Sequence, residues 1–488
     1  MNIRLVLTIL SIYLLSGCTN HAIKMPFVTE SSSEIDLDQI TDTFSAEVLH
    51  NLGESYLFGN GVPVDLPRAA DFLEMAAAQD YPDSQFSIGW MYMEGVHFSQ
   101  NYFKATEWFK KAAEQGMAQA QYFLGARYKR GQGAELNYDL ATYWYQKAAT
   151  QGWPSAQNDL GVFYQIGRGV EQNYVAAFDL FTLAAASNNV NAMLNIGQLY
   201  DQGLGVKQNY SEAINWFTLA SENGNGAASY NLGVHYEEGK GIDQNYKQAF
   251  KWYQKAAQQK EPLGYQGLST MYFKGRGVIQ NYEKSFEYGL AAAEAGLASS
   301  QVFVAELYLA NNYGVNIDSS KAIFWLLKAA EQNNQPALSK LAQLYRDGEG
   351  VKQDFGKAAY WYKKGVSNNN INSQFNLARF YEVGTGVMKD LEMSKRLYMQ
   401  AAKQGHAESQ AWIGVYYASR DNEAEAEKWF LASAEQEFAQ GQYNLGWMYY
   451  TQRKGEKALY WLKQAANKGQ RNAIAVLTEI AENIRKRK

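Results

Sequence analysis

Side chains that could carry out chemistry are few in this chain of 488 residues. It has one cysteine, Cys18, which cannot form an internal disulfide. Its histidines are scattered without metal-site spacing: His21, His50, His97, His235 and His406. A Gly-x-Ser-x-Gly string, which would mark a serine hydrolase, does not occur. The sequence therefore predicts no catalytic residue, no metal site and no cofactor.

Short glycine strings recur along the chain and resemble half of a phosphate-binding loop. Examples are Gly131-Gln132-Gly133 and Gly275-Arg276-Gly277. No predicted strand precedes them, and no Gly-Lys-Ser/Thr follows. We interpret these glycines as helix ends that turn the chain with positive backbone angles.

The surroundings of Cys18 favour a covalent modification. Arg4 and an apolar run of about eleven residues precede it, which is typical of an export signal and too short to span a bilayer. Leu15-Ser16-Gly17-Cys18 resembles a bacterial lipobox, which implies that Cys18 is diacylated and begins the mature protein. Thr19, a residue other than Asp, resembles the outer-membrane default of Gram-negative lipoproteins. The alternative is an ordinary cleaved signal with a chance cysteine.

The elements that would position any site are repeats. A small residue inside the string Leu-Gly-x-x-Tyr, here called the landmark, recurs mostly every 36 residues. The landmarks of repeats one to twelve are Gly53, Gly89, Gly125, Gly161, Gly197, Gly233, Ser269, Ala305, Ala342, Ala378, Gly414 and Gly446. A tyrosine follows each of them by three positions. This period predicts a repeat array in which each unit packs on its neighbours.

Each repeat predicts two amphipathic helices joined by a loop. In repeat three, Tyr122, Leu124, Gly125 and Tyr128 give the first helix one apolar stripe. A small landmark predicts that two helices approach closely there. Asn137 is a favoured N-cap for the second helix, whose Ala-x-x-Trp-Tyr pattern predicts a core face. Repeats eleven and twelve lack the glycine loop, and repeat eight has a longer one at residues 311–314.

These motifs in register identify the chain as a member of the Sel1-like repeat family, which is related to tetratricopeptide repeats. The resemblance implies an all-α fold: a right-handed α-solenoid of about 12 helix-loop-helix repeats that binds other macromolecules. We divide the chain into a lipoprotein signal peptide at 1–17, a flexible tether at 18–44, the solenoid at 45–470 and a C-terminal capping helix at 471–488. The basic end of that helix, residues 485–488, could alternatively touch anionic lipid or a partner.

Composition excludes two other classes of protein. Hydrophobic residues make up 47% of the chain and aromatic residues 14%, which excludes a disordered chain. The net charge is −4, and no basic stripe interleaved with aromatics appears, so we expect no nucleic-acid partner.

Positions that vary between repeats are the best guide to a binding surface. The residue after the landmark and the residue two before it share one stripe of the first helix. We predict that aromatic and arginine side chains there are exposed and contact a partner protein: Trp90, Phe123, Phe303, Arg379, Trp412 and Trp447. The alternative is that they lie partly buried between neighbouring repeats.

The sequence thus predicts a non-catalytic scaffold of the bacterial envelope, anchored to the membrane through lipid on Cys18. As an outer-membrane lipoprotein it would face the periplasm or the cell surface. Candidate partners are a secretion or polysaccharide-assembly complex, or a host factor. Two alternatives remain open: a surface adhesin or host-factor-binding virulence protein, and a cell-wall or β-lactam hydrolase. Relatives described as acting on lactams carry paired cysteines in each repeat, and this chain does not.

Overall fold

A computed structural model describes residues 44–310 and 313–487, with side chains through residue 482. The predicted signal peptide, Cys18 and residues 18–43 of the predicted tether lie outside the described residues. In the described part the chain forms 25 α-helices and no strand. The helices are α1 Ala46–Phe58, α2 Leu66–Ala78, α3 Pro82–Glu94, α4 Tyr102–Glu114, α5 Ala118–Arg130, α6 Tyr138–Thr150, α7 Pro154–Ile166, α8 Tyr174–Ala186, α9 Val190–Gln202, α10 Tyr210–Glu222, α11 Gly226–Glu238, α12 Tyr246–Gln258, α13 Pro262–Lys274, α14 Tyr282–Glu294, α15 Ala298–Leu309, α16 Ser319–Glu331, α17 Gln335–Asp347, α18 Phe355–Ser367, α19 Ile371–Val383, α20 Leu391–Lys403, α21 Ala407–Ala418, α22 Glu423–Glu435, α23 Ala439–Thr451, α24 Gly455–Asn467 and α25 Arg471–Arg487.

The helices alternate as the first and second helix of twelve repeats, so the prediction of an all-α solenoid is confirmed. Repeat three, for example, consists of α5 and α6. The chain divides into two compact units, an N-terminal unit ending at Gln244 and a C-terminal unit beginning at Asn245. Within each unit, every helix packs against the helices before and after it in sequence.

Capping fixes where the helices begin and end. In repeat three, Asn137 is the N-cap of α6, and its Oδ1 accepts a hydrogen bond of 2.9 Å from the backbone N–H of Leu140. Gly131 ends α5 in the left-handed region, at φ 63°, and its N–H donates to the carbonyl of Arg127. The glycine string is therefore a helix end, as predicted.

The landmark lies where the two helices of a repeat come closest. A Cβ at Gly125 would lie 2.7 Å from the ring of Tyr145 and 3.2 Å from the carbonyl oxygen of Ala141, both on α6. Gly161 has the same relation to Phe181. Tyr145 and Phe181 are fully buried. The landmark is small because an aromatic ring of the second helix occupies the space beside it.

Repeat seven reverses this arrangement. Its landmark is Ser269, and the residue opposite it is Gly289. A Cβ at Gly289 would lie 3.1 Å from the Ser269 Oγ, which donates a 2.7 Å hydrogen bond to the carbonyl of Ser285. The combined volume of the two facing residues therefore stays small although serine takes the place of glycine at the landmark.

Glutamine side chains form a second set of contacts between neighbouring repeats. Gln151, the C-cap of α6, donates from Nε2 to Oε1 of Gln121 at 2.8 Å and to the carbonyl of Gly116 at 2.9 Å. Gln121 in turn donates to the carbonyl of Ala113 at 3.1 Å. The C-terminal unit has the same arrangement, in which Gln332 donates to Oε1 of Gln301 at 3.1 Å and to the carbonyl of Gly296 at 3.0 Å, and Gln301 donates to the carbonyl of Ala293 at 3.1 Å. These bonds add side-chain donors to backbone carbonyl groups at helix ends.

The glycine loops form a third set of contacts between repeats. The second glycine of a loop lies against the first residue of the second helix of the preceding repeat. A Cβ at Gly133 would lie within 3.0 Å of the backbone of Tyr102, the first residue of α4. The same holds for Gly169 against Tyr138. Equivalent contacts of under 3.0 Å are made by Gly205, Gly241, Gly277, Gly350 and Gly386. Each such loop covers the start of a neighbouring helix.

The last helix, α25, packs against α24 and α23. Leu462 and Ala465 of α24 and Ala473 and Val476 of α25 form one buried cluster. The array thus ends, in the described residues, on a helix with no second helix paired to it.

The landmark contact leads to a stability prediction. We expect Gly125→Val to lower the free energy of unfolding by about 1–3 kcal/mol, because the added carbons would overlap the buried ring of Tyr145. Urea unfolding followed by circular dichroism measures the change. Gly455→Ala is the control, since a Cβ there meets nothing within 4 Å. Equal losses in the two variants would contradict the packing explanation.

Candidate partner-binding surface

The six residues predicted to form a binding surface do not share one environment. Trp90 is 5% exposed and belongs to the hydrophobic core of repeats two and three, so the prediction of its exposure is wrong. The neighbouring first helices cover the position after the landmark in this part of the chain. Ala126, the equivalent residue of repeat three, is buried as well.

Three of the rings lie partly buried between consecutive repeats. Phe123 packs against Phe86 of the preceding repeat, with ring centres 5.3 Å apart. Phe303 packs in the same way on Phe273 at 5.5 Å. Trp412 donates from Nε1 to Glu382 of the preceding repeat at 3.0 Å. The position two before the landmark faces the preceding repeat, so these side chains mainly join repeats, which is the alternative that the sequence left open.

The remaining two residues are exposed. Arg379 on α19 and Trp447 on α23 both follow the landmark directly. Val415 on α21, at the same position, is exposed too. Because α21 and α23 pack against each other, Val415 and Trp447 lie on neighbouring first helices. We call Arg379, Val415 and Trp447 the exposed stripe. Val415 was not among the predicted residues, because only aromatic and arginine side chains were considered as interface anchors.

The exposed stripe is confined to the C-terminal unit. At the position after the landmark, the N-terminal unit has no exposed residue. Its six residues are partly or fully buried: Glu54, Trp90, Ala126, Val162, Gln198 and Val234. Repeats ten to twelve therefore form the exposed stripe, and each contributes one side chain to it: a cation, an aliphatic side chain and an aromatic side chain.

Acidic side chains beside this surface are held by tyrosine and tryptophan donors. Glu382 accepts from the Tyr398 Oη at 2.8 Å as well as from Trp412. Burial and then this bond raise the pKa of Tyr398. Near Trp447, Tyr449 donates to Glu427 at 2.7 Å, and burial, followed by that bond, raises the pKa of Tyr449 to about 12. Both phenols therefore stay neutral donors at physiological pH and fix the carboxylates.

One group in repeats one and two has the composition of a hydrolase triad. His50 Nδ1 lies 2.9 Å from Ser84 Oγ, and His50 Nε2 lies 3.7 Å from Glu54 Oε1. Ser84, however, is 0% exposed, so no substrate carbonyl can reach its hydroxyl. Burial lowers the pKa of His50 and raises that of Glu54 from near 4.5 to about 7, with Asp83 adding to the rise. The arrangement is a buried polar contact between two first helices.

The other described histidines also have structural roles. His235 is buried, with Nδ1 2.9 Å from the carbonyl of Lys240 and Nε2 3.2 Å from Asp201. His406 caps α21 and His97 adopts a positive φ of 63° in the α3–α4 loop. Among the described residues, no group of three or more His, Cys, Asp or Glu side chains could hold a metal ion. Over the same residues, no helix is long and apolar enough to cross a membrane.

The raised pKa of Glu54 gives a pH-dependent prediction. A carboxyl whose folded pKa lies above its unfolded value costs stability as the pH rises from about 4.5 to about 7. Glu54→Gln should therefore raise the melting temperature at pH 8, with a smaller gain at pH 5, where the wild-type carboxyl is protonated. Differential scanning calorimetry at the two pH values measures this, with the exposed Glu107→Gln as the control. A gain of the same size at both pH values would refute the burial argument.

Many solved structures are similar to this chain, among them the following two. The crystal structure of c5321, described as a protective antigen present in uropathogenic Escherichia coli strains displaying an SLR fold, is 29% identical, with a TM-score of 0.52. The match covers 89% of this chain and 95% of that one. A Sel1 repeat protein from Oxalobacter formigenes is 26% identical, with a TM-score of 0.53, over 66% of this chain and 98% of that one. No protein with a curated description matches the chain significantly.

The sequence model of the Sel1 repeat matches the chain twelve times. The matched residues are 46–81, 82–117, 118–153, 154–189, 190–225, 226–261, 263–297, 298–334, 335–370, 371–406, 407–438 and 439–470. They include every helix pair and exclude α25. The chain therefore belongs to the Sel1-repeat family.

Proposed function

We propose that this protein is a lipid-anchored scaffold of the bacterial envelope that binds partner proteins through the exposed stripe of its C-terminal unit. Sel1-repeat proteins are typically protein–protein interaction scaffolds. The observation that carries the proposal is the exposed stripe itself, because Arg379, Val415 and Trp447 lie in solvent on packed helices. Rigid helices that present an arginine and an indole offer the usual anchors of a protein interface.

The membrane anchor rests on the sequence around Cys18, the only cysteine in the chain. A diacyl group holds a protein stably at a bilayer, whereas a single acyl chain gives marginal binding. The lipobox-like string and Thr19 support the proposal of an outer-membrane location facing the periplasm or the cell surface. The predicted tether would separate the first repeat from the lipid.

Replacing the cysteine tests the anchor. We expect Cys18→Ala to move the protein from the membrane fraction to the soluble fraction, because the site of lipidation is gone. Fractionation after a high-salt wash, followed by immunoblotting, measures the distribution. A Cys18→Ala protein that stays with washed membranes would refute the anchor and leave the binding stripe untouched.

A second experiment tests the exposed stripe. We expect Val415→Lys with Trp447→Lys to reduce the yield of crosslinked partner in affinity capture from membranes by about tenfold, since both anchors are lost. Quantitative mass spectrometry measures the yield. Tyr460→Lys is the matched control, because Tyr460 is at least as exposed as Val415 and Trp447 but lies on α24, the second helix of repeat twelve. Equal reductions in both variants would argue against a specific stripe.

Display at the cell surface, as an adhesin or host-factor binder, is a second candidate. It is favoured by the likeness to c5321, which is described as a protective antigen. Protease shaving of whole cells separates the two: surface display predicts digestion, and a periplasmic orientation predicts protection until the outer membrane is opened.

A hydrolase is disfavoured because Sel1-repeat solenoids are typically non-catalytic and Ser84 is inaccessible. Covalent labelling by a fluorescent penicillin would restore that candidate.

A further inference from the structure

The glycine loops show how a chain segment binds the start of a second helix in this fold. In seven repeats, the first residue of the second helix lies against the second glycine in the loop of the following repeat. A Cβ on that glycine would come within 3.0 Å of this first residue. Repeat eight, whose loop is irregular, covers the same place with the ring of Tyr313, 5.1 Å from the ring of Tyr282. A covering segment is therefore a regular part of the architecture.

The start of α20 in repeat ten has no such cover from the next repeat. The α21–α22 connection has only four residues, 419–422, and contains no glycine. The α19–α20 connection, by comparison, has seven residues, 384–390. Leu391, the first residue of α20, is 57% exposed, whereas the equivalent Tyr102 of repeat two is partly buried. Repeat eleven thus leaves the first turn of α20 open to another chain.

The residues around this opening are apolar where other repeats are mostly charged. Val383 is the last residue of α19 and Met388 lies in the α19–α20 connection, and they are 72% and 90% exposed. At the position of Met388, five other repeats carry a charged residue: Glu135, Glu171, Lys207, Asp243 and Lys352. Apolar side chains therefore surround a helix start that lacks its cover. Exposed apolar groups clustered in this way mark interaction sites.

Two cations lie at the ring of Tyr416, and one of them, Lys395, is on α20. Lys395 is one turn after Leu391, at the position of Thr106 in repeat two, which contacts the covering loop through its hydroxyl. The Lys395 Nζ and the Arg420 guanidinium lie 5.1 Å and 3.8 Å from the ring centre of Tyr416. Lys395 also pairs with the exposed Glu392 at 3.0 Å. Repeats two to nine place uncharged residues at the position of Lys395, namely Thr106, Thr142, Phe178, Ile214, Phe250, Phe286, Ile323 and Ala359, whereas repeat eleven has Glu427.

We propose that the opening over the first turn of α20 binds a glycine-containing turn of a partner protein, with an acidic residue close after the glycine. The glycine requirement follows from the seven intramolecular loops, where a Cβ on the second glycine would come within 3.0 Å of the helix start, and in five of them within 3.0 Å of its backbone. The acidic residue pairs with Arg420 and Lys395, and apolar side chains of the segment cover Met388 and Leu391. We call this surface the α20 site. It extends the proposed scaffold function and is separate from the exposed stripe.

A peptide that copies one of the protein's own loops serves as the probe. Residues 131–138, Gly-Gln-Gly-Ala-Glu-Leu-Asn-Tyr, contain the second glycine and an acidic residue two positions later. We expect a cyclised, fluorescently labelled form to bind the purified full chain in detergent, because cyclisation pre-orders the turn. Fluorescence anisotropy gives the dissociation constant. The Gly133→Ala peptide should bind about tenfold more weakly, and the Glu135→Gln peptide should lose most of its salt dependence.

Matched protein variants place the binding at the α20 site. Met388→Lys and Leu391→Lys should each weaken peptide binding at least about fivefold. Ile279→Lys is the control, since Ile279 has the same position in repeat seven and is 91% exposed, but Tyr313 covers the helix start there. Replacing residues 419–422 with a copy of residues 384–390 should restore the cover and abolish binding.

Three results would overturn the proposal. The first is no binding of the cyclic peptide, and the second is binding that responds equally to Ile279→Lys and Leu391→Lys. The third is self-association of the wild-type chain, seen by analytical ultracentrifugation and removed by Leu391→Lys, which would make a second copy the occupant. All of these measurements use purified protein and peptide, so their failure leaves the membrane anchor and the exposed stripe to their own tests.

Discussion

The close contact at the landmark is the constraint on which the rest of each repeat depends. A glycine against a buried ring, as in Gly125 and Tyr145, lets the first and second helices approach closely at this point. Gly is a poor helix former, so its use inside a helix is favoured only by such packing. The reversed pair of Ser269 and Gly289 shows that the constraint is on the sum of two side chains. A larger landmark is accepted where the opposite residue becomes smaller.

Periodicity predicted the fold because all repeats share this contact. The N-caps, the glycine helix ends and the core face with Tyr145 could be read from one repeat and extended to the others. Exposure of the variable positions could not be predicted in this way. The helix period determines which face of α3 carries Trp90, but whether that face is buried depends on how tightly the next repeat packs against it. That relation is not a property of any single helix.

The roles of polar residues inside the array were not predicted from the sequence. Gln121 and Gln151 look like exposed helix residues, yet they form a bridge between repeats and donate to backbone carbonyls. His50, Ser84 and Glu54 lie on two different helices, and their contact depends on the stacking of repeats one and two. A contact between repeats can be foreseen only where its partners recur with the period, and this one occurs once. The contact between the rings of Tyr313 and Tyr282 could not be predicted for the same reason, because Tyr313 belongs to no repeated motif.

A repeat array tolerates local departures because each repeat contacts only its neighbours. Shortening the connection after α21 removes one cover and leaves the landmark contact of Gly414 with Phe430 intact. Random loss of a loop would be expected to leave polar residues at the uncovered place, since exposed apolar groups carry a solubility cost. Val383, Met388 and Leu391 are apolar instead, and Lys395, one turn after Leu391, lies with Arg420 at the ring of Tyr416. The departure from the period and the change in side-chain chemistry coincide at one helix start, and this coincidence is what distinguishes a binding site from a defect in the repeat.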